Sequence, residues 1–242
     1  RRHVPCIKGE ARPPLALVET RLHDTQSVLY RNAAADFAMT TAQVDAVDFT
    51  RFSALVATGT ALAADPSRSA TFHALARARA AGLPVIFDID YRPYSWPAAS
   101  VARDCYARAC ALCDVVVGND VEFGILAADP GLGLTAARSL ATTTAQIVVY
   151  KMGEAGAGTL PPDGAFATGI YPTAALKPTG AGDAFMGSFL AALATGHNLR
   201  DAVLRGSAAA AMVVARIGCA PAMPDRSELD AFLAAHPGPT PA

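Results

Sequence analysis

The segment Pro178-Thr179-Gly180-Ala181-Gly182-Asp183-Ala184-Phe185 puts two glycines and a carboxylate at the opening of a strongly helical run. Glycine lets the backbone take left-handed φ values and come close to a ligand. The unpaired N–H groups of a helix start, together with the helix dipole, attract an anion. Donors from Gly180, Ala181 and Gly182 could therefore surround a phosphoryl group. Asp183 stands where a carboxylate could take a proton from an alcohol next to it. Phosphoryl transfer to a hydroxyl needs that pairing of a base with charge-stabilising donors. The same string also reads as a plain N-cap aspartate after a glycine-rich turn, and spacing alone leaves both readings open.

Such a tip works only if other elements hold it. Leu15–Arg31 contains two short apolar runs around the polar turn His23-Asp24-Thr25, which predicts an antiparallel pair. From residue 53 strands and helices alternate. Strands are expected at 54–58, 84–90, 115–117 and 147–150. Helices are expected at 65–81 with Asp65 as N-cap, at 98–113, after Asn119, at 134–141, 183–195, 199–217 and 227–235. Residues 153–176 read as hairpins. Repeated strand–helix units with nearly continuous apolar strands predict a parallel sheet covered by helices. Ligands of such sheets bind where the strands end. Those ends carry Thr58-Gly59, Asp88-Ile89-Asp90-Tyr91-Arg92, Gly118-Asn119, Lys151-Met152-Gly153 and the Thr179–Asp183 turn.

Composition removes several function classes. The 242 residues carry 20 basic and 21 acidic side chains, a net charge of −1, so nucleic acid is not the expected partner. No uncharged apolar stretch is long enough to span a membrane. At this length one large domain or two small ones are expected. Five cysteines, an odd number without a signal peptide, fit a reduced cytoplasm. Cys105, Cys110 and Cys113 match a ferredoxin-like spacing, with Cys219 as a conceivable fourth ligand. On one helix, though, residues five apart point about 140° apart, so buried thiols are the better reading. The histidines show no zinc spacing. No G-x-G-x-x-G follows a strand in the dinucleotide arrangement, and no G-x4-G-K-[ST] loop is present.

The Gly180–Phe185 string resembles the C-terminal signature of the PfkB/ribokinase family of sugar kinases. Gly118-Asn119-Asp120-Val121-Glu122 is similar to that family's N-x-x-E element. Lys151-Met152-Gly153-Glu154-Ala155-Gly156 resembles its nucleotide loop, and Ala211–Gly218 its adenine-side segment. These elements fall in the family's order between about residues 53 and 224. The resemblance implies an α/β fold over residues 1–242: a ribokinase-like three-layer sandwich, mostly parallel, with helices on both faces. It also implies a small antiparallel lid region at about residues 15–31. ATP and Mg²⁺ would be used, with Asn119, Glu122, Lys151, Gly153, Gly156 and Gly218 on the nucleotide and metal side. Glu122 would reach the metal through water. Asp183 would be the base and Gly180, Ala181 and Gly182 the anion hole. A homodimer is a further expectation from the resemblance.

Phe87–Trp96 resembles a stretch of the kinases that act on keto-deoxy sugar acids, such as 5-dehydro-2-deoxygluconate in inositol catabolism. The 6-hydroxyl would be the acceptor. 2-Dehydro-3-deoxygluconate and fructose are the alternative substrates, and a non-catalytic nucleotide- or sugar-binding remnant is the alternative of another class. A sugar acid needs a cation, and the guanidinium forks of Arg31 and Arg92 suit a carboxylate. Tyr94 and Trp96 are expected to pack. Two departures stand out. Lys177 occupies a position where ribokinases commonly carry a potassium-site Asp, so potassium dependence is not expected. The family's N-terminal segment of roughly 80–100 residues has no counterpart in the given sequence.

Overall fold

The computed structural model describes residues 9–18, 27–31, 33–176, 179–236 and 238–239. Lys177 and the turn at residues 23–25 lie outside them. The strands β1 (Leu15–Val18) and β2 (Ser27–Tyr30) pair antiparallel, with Leu15 opposite Tyr30. A short helix α1 (Thr41–Asp45) follows, closed by a reciprocal capping box between Thr40 and Gln43. The alternating part then runs β3 (Leu55–Thr58), α2 (Ser67–Ala80), β4 (Val85–Asp88), α3 (Ala99–Cys110), β5 (Val115–Asn119), α4 (Asp120–Ala127), α5 (Gly133–Thr143) and β6 (Ile147–Lys151). It continues with β7 (Ala157–Leu160), β8 (Phe166–Thr168), α6 (Ala181–Ala194), α7 (Leu199–Val214) and α8 (Arg226–Ala235). The strand order of the six-stranded sheet is β3-β4-β5-β6-β7-β8.

The described residues divide into two units. One runs to Lys151 and includes residues 159–165; the other holds residues 152–158 and those from Phe166 onward. In the first unit β3 to β6 are parallel, with Leu55 beside Val85, Ile86 beside Val115 and Val115 beside Ile147. Val85–Phe87, Val115–Gly118 and Val148–Tyr150 are all buried. That continuous burial is the mark of a sheet covered on both faces. Tyr106 of α3 is its largest wholly buried side chain, with the edges of Trp96 and Tyr91 at centroid distances of 5.3 and 6.3 Å.

In the second unit, small residues let α6 and α7 approach closely. A Cβ on Gly206 would lie 2.9 Å from the Phe185 ring. Ala208, Ala209, Met212 and Val213 of α7 share a buried cluster with Tyr171, Ala184 and Leu229. Ala184, Ala208, Ala209, Ala211 and Ala222 supply the small side chains of that cluster. Among the described residues no helix is long and apolar enough to cross a membrane.

Several boundaries differ from expectation for identifiable reasons. Pro66, not Asp65, is the N-cap of α2, yet Asp65 Oδ1 still accepts from the Ser69 N–H and hydroxyl, at 3.1 and 2.6 Å. α3 stops at Cys110, so Cys113 lies beyond it and its thiol contacts the Ala109 carbonyl. α7 ends at Val214, three residues early. Gly218 has φ +115°, and Arg216 turns back to donate to the Ala222 carbonyl and to Glu228. Ile217 is left 80% exposed. α6 starts at Ala181, two residues before the expected Asp183.

Candidate active site

The earlier start of α6 changes what the glycine-rich turn does. Gly180 is the N-cap, with φ +89°, a conformation that strongly favours glycine. Asp183 is therefore the third residue of the first turn, not a cap. Among the described residues no side chain caps this start. The N–H groups of the first turn have no intrahelical partner and are available to an anion. Asp183 is exposed. It lines a cavity of about 510 Å³ together with Gly187, Ser188, His197, Arg205 and Met223.

Gly180 is tied in from behind. A Cβ there would fall 2.9 Å from Cys219 Sγ and 3.2 Å from the Met223 terminal methyl. The approach to the turn is pinned by the Leu176 N–H, which donates to the Val214 carbonyl at 2.7 Å. Gly218 thus sits in the segment that packs against the turn. Sequence reasoning misses Cys219 and Met223 as parts of this turn. Only a contact across 39 or more residues makes them part of it, and no local pattern announces that.

The loop after β6 closes on itself. Met152 N–H donates to the Gly156 carbonyl at 2.8 Å, and Gly156 N–H to the Gly153 carbonyl at 3.1 Å. Gly153 has φ +55°, and a Cβ there would meet nothing within 4 Å among the described residues, so only its backbone angle calls for glycine. Gly156 has φ +82°, and a Cβ there would sit 2.0 Å from the Thr168 carbonyl oxygen. Both backbone and space demand glycine at that position.

In the first unit, Asn119 ends β5 and caps α4. Its Oδ1 accepts from the Glu122 N–H at 2.9 Å, and the Glu122 Oε2 accepts from the Asn119 N–H at 2.7 Å. Asn119 stands in register with Lys151 of β6. Glu122 is 4% exposed, and its other oxygen accepts from the Tyr91 N–H at 3.1 Å. That hydrogen bond brings the segment after β4 to the segment after β5.

Each candidate cation for a sugar acid already has a carboxylate partner. Arg31 pairs with Asp36 and lies 4.4 Å over the Phe37 ring. Arg92 pairs with Asp90 at 2.5 Å and donates to the Tyr91 carbonyl. Asp90 takes φ +40°, a left-handed turn that a short polar side chain tolerates. Trp96 packs as expected, but Tyr94 is 52% exposed. Burial of part of its ring pushes the Tyr94 phenol up, with the charges of Arg92, Asp90 and Arg31 acting on it in that order. Tyr94 is thus a surface residue among these charges, a correction to its reading as packing.

Comparison with known proteins bears on the family and the fold. A family model described as pfkB family carbohydrate kinase matches residues 2–226. A protein of Photobacterium profundum named 5-dehydro-2-deoxygluconokinase is 38% identical over 229 residues, covering 92% of this chain and 69% of that protein. A protein of the same name from Shouchella clausii is 35% identical over 208 residues, covering 85% and 64%. The chain thus spans about two-thirds of the length of these relatives. Among solved structures, fructokinase of Vibrio cholerae O395 with fructose, ADP and calcium matches with a TM-score of 0.76 at 27% identity, covering 90% of this chain and 73% of that one.

Proposed function

The chain belongs to the pfkB family of carbohydrate kinases, and we propose that it phosphorylates the 6-hydroxyl of a keto-deoxy sugar acid, 5-dehydro-2-deoxygluconate, at the expense of ATP. The fold is the α/β fold of that family, and its relatives are sugar kinases. The observation that carries the mechanism is the exposed Asp183 on the first turn of α6, whose N–H groups no side chain caps among the described residues.

Asp183 takes the hydroxyl proton as the sugar oxygen forms its bond to the γ-phosphorus, and the bond from that phosphorus to the β,γ-bridging oxygen breaks to release ADP. The backbone N–H groups of Gly180, Ala181 and Gly182 hold the charge on the transferring group. Gly153, Gly156, Lys151 and Gly218 serve the nucleotide. Arg31 and Arg92 serve the sugar carboxylate, each exchanging its internal aspartate partner for the substrate or sharing itself between the two. The β1–β2 pair belongs to the lid.

Among the described residues no group of three His, Cys, Asp or Glu could hold a metal unaided. Mg²⁺ would therefore bind with the nucleotide phosphates and retain water, through which Asn119 and Glu122 touch it. When bound, it neutralises charge on the phosphate oxygens. Lys177, which lies outside the described residues, stands in for a potassium site, so replacing sodium by potassium is expected to leave the rate unchanged; strong activation would refute this.

The test is a coupled ADP-release assay across keto-deoxy sugar acids and simple ketoses. Turnover highest with 5-dehydro-2-deoxygluconate supports the reading. A preference for 2-dehydro-3-deoxygluconate or fructose reassigns the substrate. ATP binding without turnover of any sugar makes the chain a binding protein.

A further inference from the structure

Tyr106 on α3 is wholly buried, and packing accounts for its ring. The ring meets both the end of β3 and the loop after β4. A Cβ on Gly59 would fall 2.6 Å from its Cε1, and the Phe87 and Trp96 ring centroids lie 6.1 and 5.3 Å away. Trp96 also meets Arg68 of α2, whose guanidinium lies 5.8 Å from the indole centroid and donates to the Leu62 and Ala63 carbonyls at 2.7 Å. Packing does not account for the polar atoms. The Tyr106 hydroxyl, the Trp96 Nε1–H and the Ser95 hydroxyl are all sealed, and none has a hydrogen-bond partner among the described residues. Burial pushes the Tyr106 phenol up, and the Trp96 N–H, second in effect, pulls it down. The two groups are thus near enough to act on each other, yet no hydrogen bond closes between them.

An unpartnered hydroxyl or N–H in the interior costs stability. One water removes that cost where a polar seam offers it two or more partners. We propose that Tyr106 and Trp96 enclose one resident water, and that Tyr106 is thereby a positioning residue for the loop that presents Arg92. The water accepts from the Trp96 N–H and the Tyr106 hydroxyl, and the Ser95 oxygen of the same loop is its further partner. Polar contacts as well as ring contacts then join α3 to the loop. This rests on the function proposed above, in which Arg92 serves the sugar carboxylate. A loop fixed in this way holds its cation in place before the substrate arrives, which is where preorganisation gains affinity.

The test is Tyr106→Phe, which removes one oxygen and leaves the ring. Deleting a hydroxyl that has no partner relieves a burial cost, and such a variant is as stable as wild type or more so. Deleting one that holds a water loses a bridge, and the sign reverses. The melting temperature is therefore expected to fall, by about 2–4 °C. The emission of Trp96, the chain's single tryptophan, should move to shorter wavelength. KM for 5-dehydro-2-deoxygluconate is expected to rise at least about fivefold, about 1 kcal/mol, with kcat and ATP affinity at wild-type values. A crystal structure of the wild type should show solvent density within about 3.2 Å of both Tyr106 Oη and Trp96 Nε1. A variant that melts at or above the wild-type temperature, unchanged Trp96 emission, or a wild-type crystal without that density overturns the water site. Lower stability with unchanged sugar KM, or an equal loss of ATP affinity, overturns the positioning role. If wild type phosphorylates no sugar acid, the proposed function fails; melting, emission and density, which need no turnover, then judge the water site separately.

Discussion

In the proposed mechanism a single carboxylate and a few glycines bear most of the chemistry, and their demands differ. Asp183→Asn keeps the shape of the α6 tip and removes the base. Its kcat is expected to fall at least about a hundredfold, the lower end for loss of a general base, with ATP affinity nearly unchanged in a binding titration. The two glycines of the β6–β7 loop separate backbone need from space. Gly153→Ala meets open surroundings, and only its φ of +55° is unfavourable, by about 1–2 kcal/mol. Gly156→Ala adds a Cβ at 2.0 Å from the Thr168 oxygen and must displace backbone. Thermal melts should show a modest loss for the first and a much larger one for the second. From sequence both are simply loop glycines, because the Thr168 carbonyl reaches Gly156 only in the folded chain.

At the level of elements, helix ends and strand ends are legible to within a few residues wherever a local signal exists. Asn119 with Glu122, and Asp225 with Glu228, form capping boxes that any reading of N-x-x-E or D-x-x-E would place. The end of α7 is not legible in this way, because Ile217 continues the apolar pattern, whereas Arg216 leaves the helix for partners on Ala222 and Glu228. The thiols of α3 and the following turn are silent in sequence but have a measurable consequence. Burial pushes the Cys113 thiol from 9.0 up to about 12, and burial raises Cys110 too. In the unfolded chain these thiols ionise near 9, so unfolding releases protons above that pH. Their stabilising contribution is full below about 9 and is lost as pH rises toward 12. Denaturant midpoints should fall between about pH 8 and about pH 9.5, and Cys113→Ala should flatten that fall. Native thiol labelling should reach Cys219 before Cys105, Cys110 and Cys113, because only Cys219 of these four is exposed.

Among the described residues most charge is arranged as small solvent-reached pairs, the sealed Glu122 apart. Asp45 is lowered chiefly by its hydrogen bond to His73, Asp65 by Ser69 and Asp230 by Arg205. A carboxylate lowered on folding stabilises above its unfolded value near 3.8, and that contribution disappears as pH falls through the lower folded value. Asp45→Asn should therefore be less stable than wild type near neutral pH, with the gap closing below about pH 3.8. Urea titrations at both pH values check this. The gap itself will be small, since these pairs are solvent-exposed and screened.

Periodicity and capping are local, so the order of strands and helices, the parallel sheet and the glycine-rich helix tip were all determined by the chain's own residues. Tertiary structure alone decided that Glu122 holds Tyr91, that Asp90 holds Arg92 and that Cys219 backs Gly180. The Glu122 and Cys219 contacts join residues 31 or more apart. Asp90 and Arg92 are close in sequence, but their pairing follows from a left-handed turn that no residue type enforces. Propensity extends only a few residues along a chain, whereas burial and hydrogen-bond satisfaction act on whatever the fold brings side by side.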